Sequence, residues 1–94
     1  MHEVALAQGI LDVVLDVADG QQVQTVRVRA GELLAVSPDS LQFCFEIVAQ
    51  DTPAARARLE VQLTPDDVLL IDGVELVEDG WQWRPDVVED EVAT

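Results

Sequence analysis

Met1-His2-Glu3 is the one stretch whose residue types and spacing could hold a metal ion without help from elsewhere in the chain. A histidine in second position offers the α-amine, its own backbone nitrogen and its ring nitrogen, which close two small chelate rings around one ion. Glu3 adds a backbone nitrogen or a carboxylate. Three or four nitrogens in a plane suit Ni(II) or Cu(II), whereas zinc prefers tetrahedral ligation and magnesium or calcium want oxygens. The signal is short. At ordinary residue usage a chain opens this way by chance roughly once in several hundred to a thousand cases, so on the motif alone chance is the stronger reading.

The rest of the chemistry-bearing inventory is thin. One cysteine, Cys44, permits no internal disulfide and no cysteine zinc site. No nucleophile–base pair or carboxylate pair stands in a recognisable motif, and one histidine leaves little acid–base capacity near neutral pH, so an enzyme is not expected. Arg27 and Arg29 are expected on the outer face of a strand, balancing nearby carboxylates or making a docking contact. Trp81 and Trp83 fall on one side of an extended segment, either packed on the protein's own sheet or exposed as a binding anchor.

These residues must be positioned by one small domain, since 94 residues support one core. The 49% hydrophobic content is ample for folding. Nineteen acidic residues against five arginines, with no lysine, give a formal net charge of −14. Such a surface repels nucleic acid and anionic membranes, so neither is expected as a partner. No charged leader precedes an apolar run and no stretch is long enough to span a bilayer, which makes a cytoplasmic protein the default expectation.

The hydrophobic periodicity predicts a helix from about Glu3 to Ala18, with Val4, Ala7, Leu11, Val14 and Ala18 on a buried face widened by Leu6, Ile10, Val13 and Val17, ended by Gly20. Alternation predicts a strand over Val23–Ala30. Ser37-Pro38-Asp39 carries a helix-start signal, and the second helix should run to about Ala49 with Leu41, Cys44, Phe45 and Val48 inward, widened by Phe43 and Ile47. Ala57 to Leu63 alternates again, with Leu59, Val61 and Leu63 inward. Thr64-Pro65-Asp66-Asp67 is a turn. Beyond it, Asp72-Gly73 reads as a two-residue hairpin, with a bulge in one longer strand as the alternative. The expected fold is α+β and two-layered: two helices on a small mixed sheet of three to four strands, in the order α-β-α-β-β. It forms one domain over residues 1–85, followed by a fraying acidic tail over residues 86–94.

In this order the motifs resemble the HypA-type nickel metallochaperones of [NiFe]-hydrogenase and, in some organisms, urease maturation. The resemblance is carried by Met1-His2-Glu3 opening a helix, the Val26-Arg27-Val28-Arg29 strand, the Gly31-Glu32-Leu33 turn, the segment Ser37 to Val48 and the Leu59-Glu60-Val61 strand, over about residues 1 to 63. It implies a nickel-binding accessory protein that holds Ni(II) transiently through Met1, His2 and Glu3. It also implies transient complexes with the hydrogenase large subunit or a nickel-insertion GTPase, and it admits a homodimer. The alternative is a docking or scaffold protein of hydrogenase assembly that transfers no metal. The family carries a zinc module with two Cys-x-x-Cys pairs where this chain has only Thr64-Pro65-Asp66-Asp67. Such a site needs four thiolate or imidazole ligands, so no structural zinc is expected, and the segment holding Trp81 and Trp83 is left without a counterpart.

Overall fold

The structure, a computed structural model, describes residues 3–88. Its order is α1 (Glu3–Ala18), β1 (Val23–Gly31), a 3₁₀ turn (Glu32–Leu34), α2 (Pro38–Val48), β2 (Arg58–Thr64), β3 (Leu69–Leu76) and β4 (Gly80–Val88). The four strands form one mixed sheet in the order β2-β1-β3-β4, with β1 parallel to β2 and antiparallel to β3, and β4 antiparallel to β3. Both helices cover the same face. The two-layer α+β expectation holds, with one strand more than the expected element order.

A parallel β1–β2 pair cannot be joined by a tight turn, so α2 serves as the crossover. Ser37 caps it: its side chain accepts a hydrogen bond from the Ser40 backbone N–H at 3.4 Å, and Pro38 fills the first turn. The core lies between the helices and one sheet face. Ile10 and Val14 from α1, Leu41 and Phe45 from α2, and Val26, Val28, Ile71 and Val74 from the sheet are all essentially inaccessible to solvent.

Several expectations on core faces are corrected. Phe43 and Ile47 were expected to widen the buried side of α2 but are 63% and 50% exposed. The helix has a sheet beneath it and α1 to one side, so its buried arc is narrower than its apolar arc. Cys44 sits at the margin of that arc, half-buried. Val4 and Leu63 are exposed as well, Val4 in the first turn of α1 and Leu63 on the edge strand β2. The end of α1 is as expected: the helix stops at Ala18, and Gly20 takes the left-handed conformation at φ 87°, preceded by Asp19 at φ 50°.

The expected hairpin at Asp72-Gly73 is not formed. β3 runs through both residues, and Asp72 is the extra residue of a bulge, because Val28 pairs with Ile71 while the neighbouring Arg27 pairs with Gly73. The bulge has a packing reason. Ile71 and Val74 are an odd number of residues apart and would point to opposite faces of a regular strand; one inserted residue lets both enter the core. The real hairpin joins β3 to β4 through residues 77–79, closed by the Leu76–Gly80 pair, with Gly80 at a φ of 75° that a side chain would strain. β4 then continues past Pro85, and Asp86, Val87 and Val88 pair with Ile71, Leu70 and Leu69. The last strand therefore extends into the stretch expected to fray. The remaining tail, residues 89–94, lies outside the described residues.

β2 reaches β3 by crossing the end of β1. The turn between them packs so closely that a side chain on Gly31 would strike the Asp66 backbone. Hydrogen bonds from Gly31 N–H to Val68 O at 2.8 Å and from Leu33 N–H to Asp66 O at 2.9 Å fix the crossing.

Candidate functional site

Of the predicted metal ligands, Met1 and His2 lie outside the described residues, and Glu3 is the first residue of α1. Glu3 is partly exposed. Its carboxylate sits in the first turn, at the positive end of the helix dipole. The helix thus begins where the candidate chelate ends, and the rest of α1 is anchored through Leu6, Ala7 and Ile10 in the core. A rigid support immediately after a three-residue chelate limits the conformations the chelate must give up on binding. Among the described residues, no group of three or more His, Cys, Asp or Glu side chains is arranged to hold a metal.

The other predicted residues come together on the sheet face opposite the helices. Strand register lays out three rows across β2, β1, β3 and β4: Arg58, Thr25, Glu75, Trp81; then Glu60, Arg27, Gly73, Trp83; then Gln62, Arg29, Leu70, Val87. Arg27 is bonded to Glu60 through Nε at 3.2 Å and Nη2 at 3.0 Å. Arg29 grips both oxygens of Asp72, with Nε at 3.1 and 3.0 Å and Nη2 at 2.6 Å. The bulge that turns Asp72 outward is what delivers this carboxylate to Arg29. Hydrogen bonding to Asp72, reinforced by its charge, raises the Arg29 pKa above its ordinary value. A raised pKa means the pair's stabilisation persists below that value and fades only in strong alkali, so arginine offers no switch near neutral pH.

Trp81 and Trp83 are stacked, with centroids 4.6 Å apart and planes inclined by 10°. The Arg27 guanidinium lies 4.8 Å from the Trp81 ring centroid and 5.4 Å from that of Trp83. Gly73 makes this possible. It separates Arg27 from Trp83 in the middle row, and a β-carbon there would come within 2.5 Å of Trp83 Cε3. The tryptophans therefore do pack on their own sheet, yet Trp83 remains 53% exposed. The arginines balance carboxylates, as one of the two sequence readings had it, and Arg27 adds a cation–π contact. What the sequence reading missed is the bridging role of Gly73, which only register reveals.

A shallow groove of about 450 Å³ runs between α2 and β2, lined by Asp39, Gln42, Glu46, Arg56 and Arg58 among others. Gln42 closes part of it by accepting a hydrogen bond from the Leu59 N–H at 2.8 Å, which satisfies an outward donor of the edge strand.

A family model described as "Hydrogenase/urease nickel incorporation, metallochaperone, hypA" matches residues 1–69, from the candidate chelate through α1, β1, α2 and β2 to the first residue of β3. The chain belongs to the HypA family. Among its relatives, the hydrogenase maturation factor HypA of Methanopyrus kandleri is 36% identical over 89 residues, covering 92% of this chain and 58% of that protein. The protein of the same name from Archaeoglobus fulgidus is 42% identical over 83 residues, covering 84% and 76%. That from Desulfatibacillum aliphaticivorans is 42% identical over 69 residues, covering 69% and 53%. The chain thus spans between about half and three quarters of these HypA relatives. The first two alignments cover more of the chain than residues 1–69 contain, so HypA similarity runs beyond the region on which the sequence resemblance rested.

Proposed function

We propose that this chain is a nickel-binding accessory protein of hydrogenase maturation that carries Ni(II), as cargo, on Met1, His2 and Glu3. The observation that supports the reading is the start of α1 at Glu3, so that a chelate formed by the first three residues would be joined directly to a helix anchored in the core. The family's description as nickel incorporation agrees with a planar-coordinating ion. The receiving partners on this reading are a hydrogenase large subunit or a nickel-insertion GTPase, and the metal passes on when the partner's ligands outcompete three nitrogens. With one cysteine and one histidine in the chain, no tetrahedral zinc site of four thiolate or imidazole ligands can be assembled within it, so carriage proceeds without zinc. The test is a calorimetric titration of Ni(II) into a chain whose first residue is Met1, alongside the His2→Ala variant. The variant should bind at least about tenfold more weakly. Equal affinities would remove the reading.

The exposed tryptophan and the arginine pairs on the open sheet face favour a second reading, a docking protein of hydrogenase assembly that moves no metal. Hydrogenase assembly fully supported by His2→Ala would select it.

A further inference from the structure

The two edges of the sheet, β2 and β4, are kept differently. β4 carries Pro85, Asp86 and an irregular register against β3, features that discourage another strand from joining. β2 has no proline and pairs with β1 in unbroken parallel register up to Thr64, and among the described residues no strand lies along its outer side. Gln42 accepts a hydrogen bond from the Leu59 N–H, so the backbone of Leu59 faces that outer side. Alternate residues of a strand face the same way, and Val61 and Leu63 therefore present their N–H and C=O groups on an open edge. The groove of about 450 Å³ between α2 and this edge is lined by Arg56 and Arg58. Arg27, Arg29 and Arg84 pair with Glu60, Asp72 and Asp16, whereas Arg56 and Arg58 make no ion pair among the described residues. We propose that the groove binds an extended segment of a partner protein, which joins the sheet as a fifth strand on β2 and sets an Asp or Glu side chain against Arg56 and Arg58.

Charge selects the occupant. In strand addition the backbone bonds supply affinity and the side chains supply choice, and a carboxylate that meets two unpaired guanidinium groups makes charge-assisted hydrogen bonds. The α2 side of the groove is acidic, with Asp39 and with Glu46, which is held by Gln42 Nε2 at 2.8 Å. Side chains of an added strand alternate between its two sides, so a segment of mixed charge can set its acid against the arginines and a Lys or Arg against Asp39 and Glu46. A mixed segment also avoids the repulsion that a chain of net charge −14 exerts on an acidic partner. At the far end Leu63, 46% exposed, and the half-buried Val61 offer apolar contact. The span from Arg56 to Leu63 is roughly 23 Å at about 3.3 Å per residue, which about nine residues cover. A chain that carried no nickel would keep this groove.

The experiment is selection of a displayed library of random peptides, about nine residues long, against the full chain. Affinity of the selected peptides is then read by fluorescence anisotropy, and their footprint by amide hydrogen exchange. In the free chain the Glu60 and Gln62 amides, turned toward β1, should exchange slowly and those of Val61 and Leu63 fast. The expected peptides are rich in β-branched residues and carry an Asp or Glu, and on binding they slow the Val61 and Leu63 amides. Changing that Asp or Glu to its amide should weaken binding at least about tenfold. The same loss is expected in the chain with Arg56→Ala and Arg58→Ala together and, separately, with Leu63→Pro, which removes an outward N–H that β1 does not use. Far-UV circular dichroism should be unchanged in the arginine variant, so the test stands even if the proline is not tolerated. Recovery of no peptide beyond those retained by an unrelated protein of like charge would overturn the proposal. So would a selected peptide that the arginine variant binds equally well, or one that leaves Val61 and Leu63 exchanging as before. Slow exchange of these two amides in the free chain would also overturn it, because the edge would already be covered, by a second copy where the slowing grows with concentration.

Discussion

Gly73 is small because two other side chains meet across it. Replacing it with alanine pushes a β-carbon against the Trp83 ring at the centre of the Arg27–Trp83 row. We expect Gly73→Ala to break the tryptophan stack, seen as a change in near-UV circular dichroism, and to cost about 1–3 kcal/mol in urea unfolding. An unchanged near-UV spectrum would mean that Trp83 is not held by the gap. The ion pairs beside it carry less: Arg27 and Glu60 are each more than two-fifths exposed, and a double-mutant cycle on them should return only about 0.2–1 kcal/mol. At the proposed chelate, the amine and the imidazole bind metal only when unprotonated. Nickel affinity should therefore fall on acidification, and a titration flat between pH 8 and pH 5 would place the ligands elsewhere.

α2 shows at the scale of an element what a sequence pattern can and cannot reveal. Its start was legible because Ser37-Pro38-Asp39 is a local signal, and its buried core of Leu41 and Phe45 follows from helical spacing. The width of its buried face was not legible, since it depends on how closely α1 and the sheet approach, and Phe43 and Ile47 fall outside it. The contrast can be measured. Phe45→Ala should cost about 3–5 kcal/mol, enough to unfold much of a small domain, whereas Phe43→Ser should stay within about 0.5 kcal/mol of wild type. Equal losses would contradict the burial assigned to these two neighbours. β3 failed as a hairpin for a similar reason: Asp72-Gly73 is good turn chemistry, but the core's demand for both Ile71 and Val74 overrode it. β4 outlasted its expected end because Val88 is buried by α1, where it packs against Gly9. That contact is remote in sequence.

For the whole molecule, the α+β class and the nickel-carrier family were legible from the order of motifs, while the pairing of arginines, carboxylates and tryptophans needed the strand register. Charge sets the overall energetics. With a net charge of −14 and few internal ion pairs among the described residues, self-repulsion opposes compaction, and the melting temperature should rise as NaCl screens it. A melting temperature that falls or stays flat from low to high salt would show that the acidic surface is already compensated. Among the described residues, no helix is long and apolar enough to cross a membrane. The central claim, a planar nitrogen chelate at the amino end, is tested most directly by the absorption spectrum of the chain with Ni(II). Beginning at Met1, it should show the weak d–d band of square-planar nickel, and the band should vanish when the terminal amine is acetylated or, separately, in the His2→Ala variant. A band that survives both changes, or a spectrum of six-coordinate nickel in the unaltered chain, would contradict it.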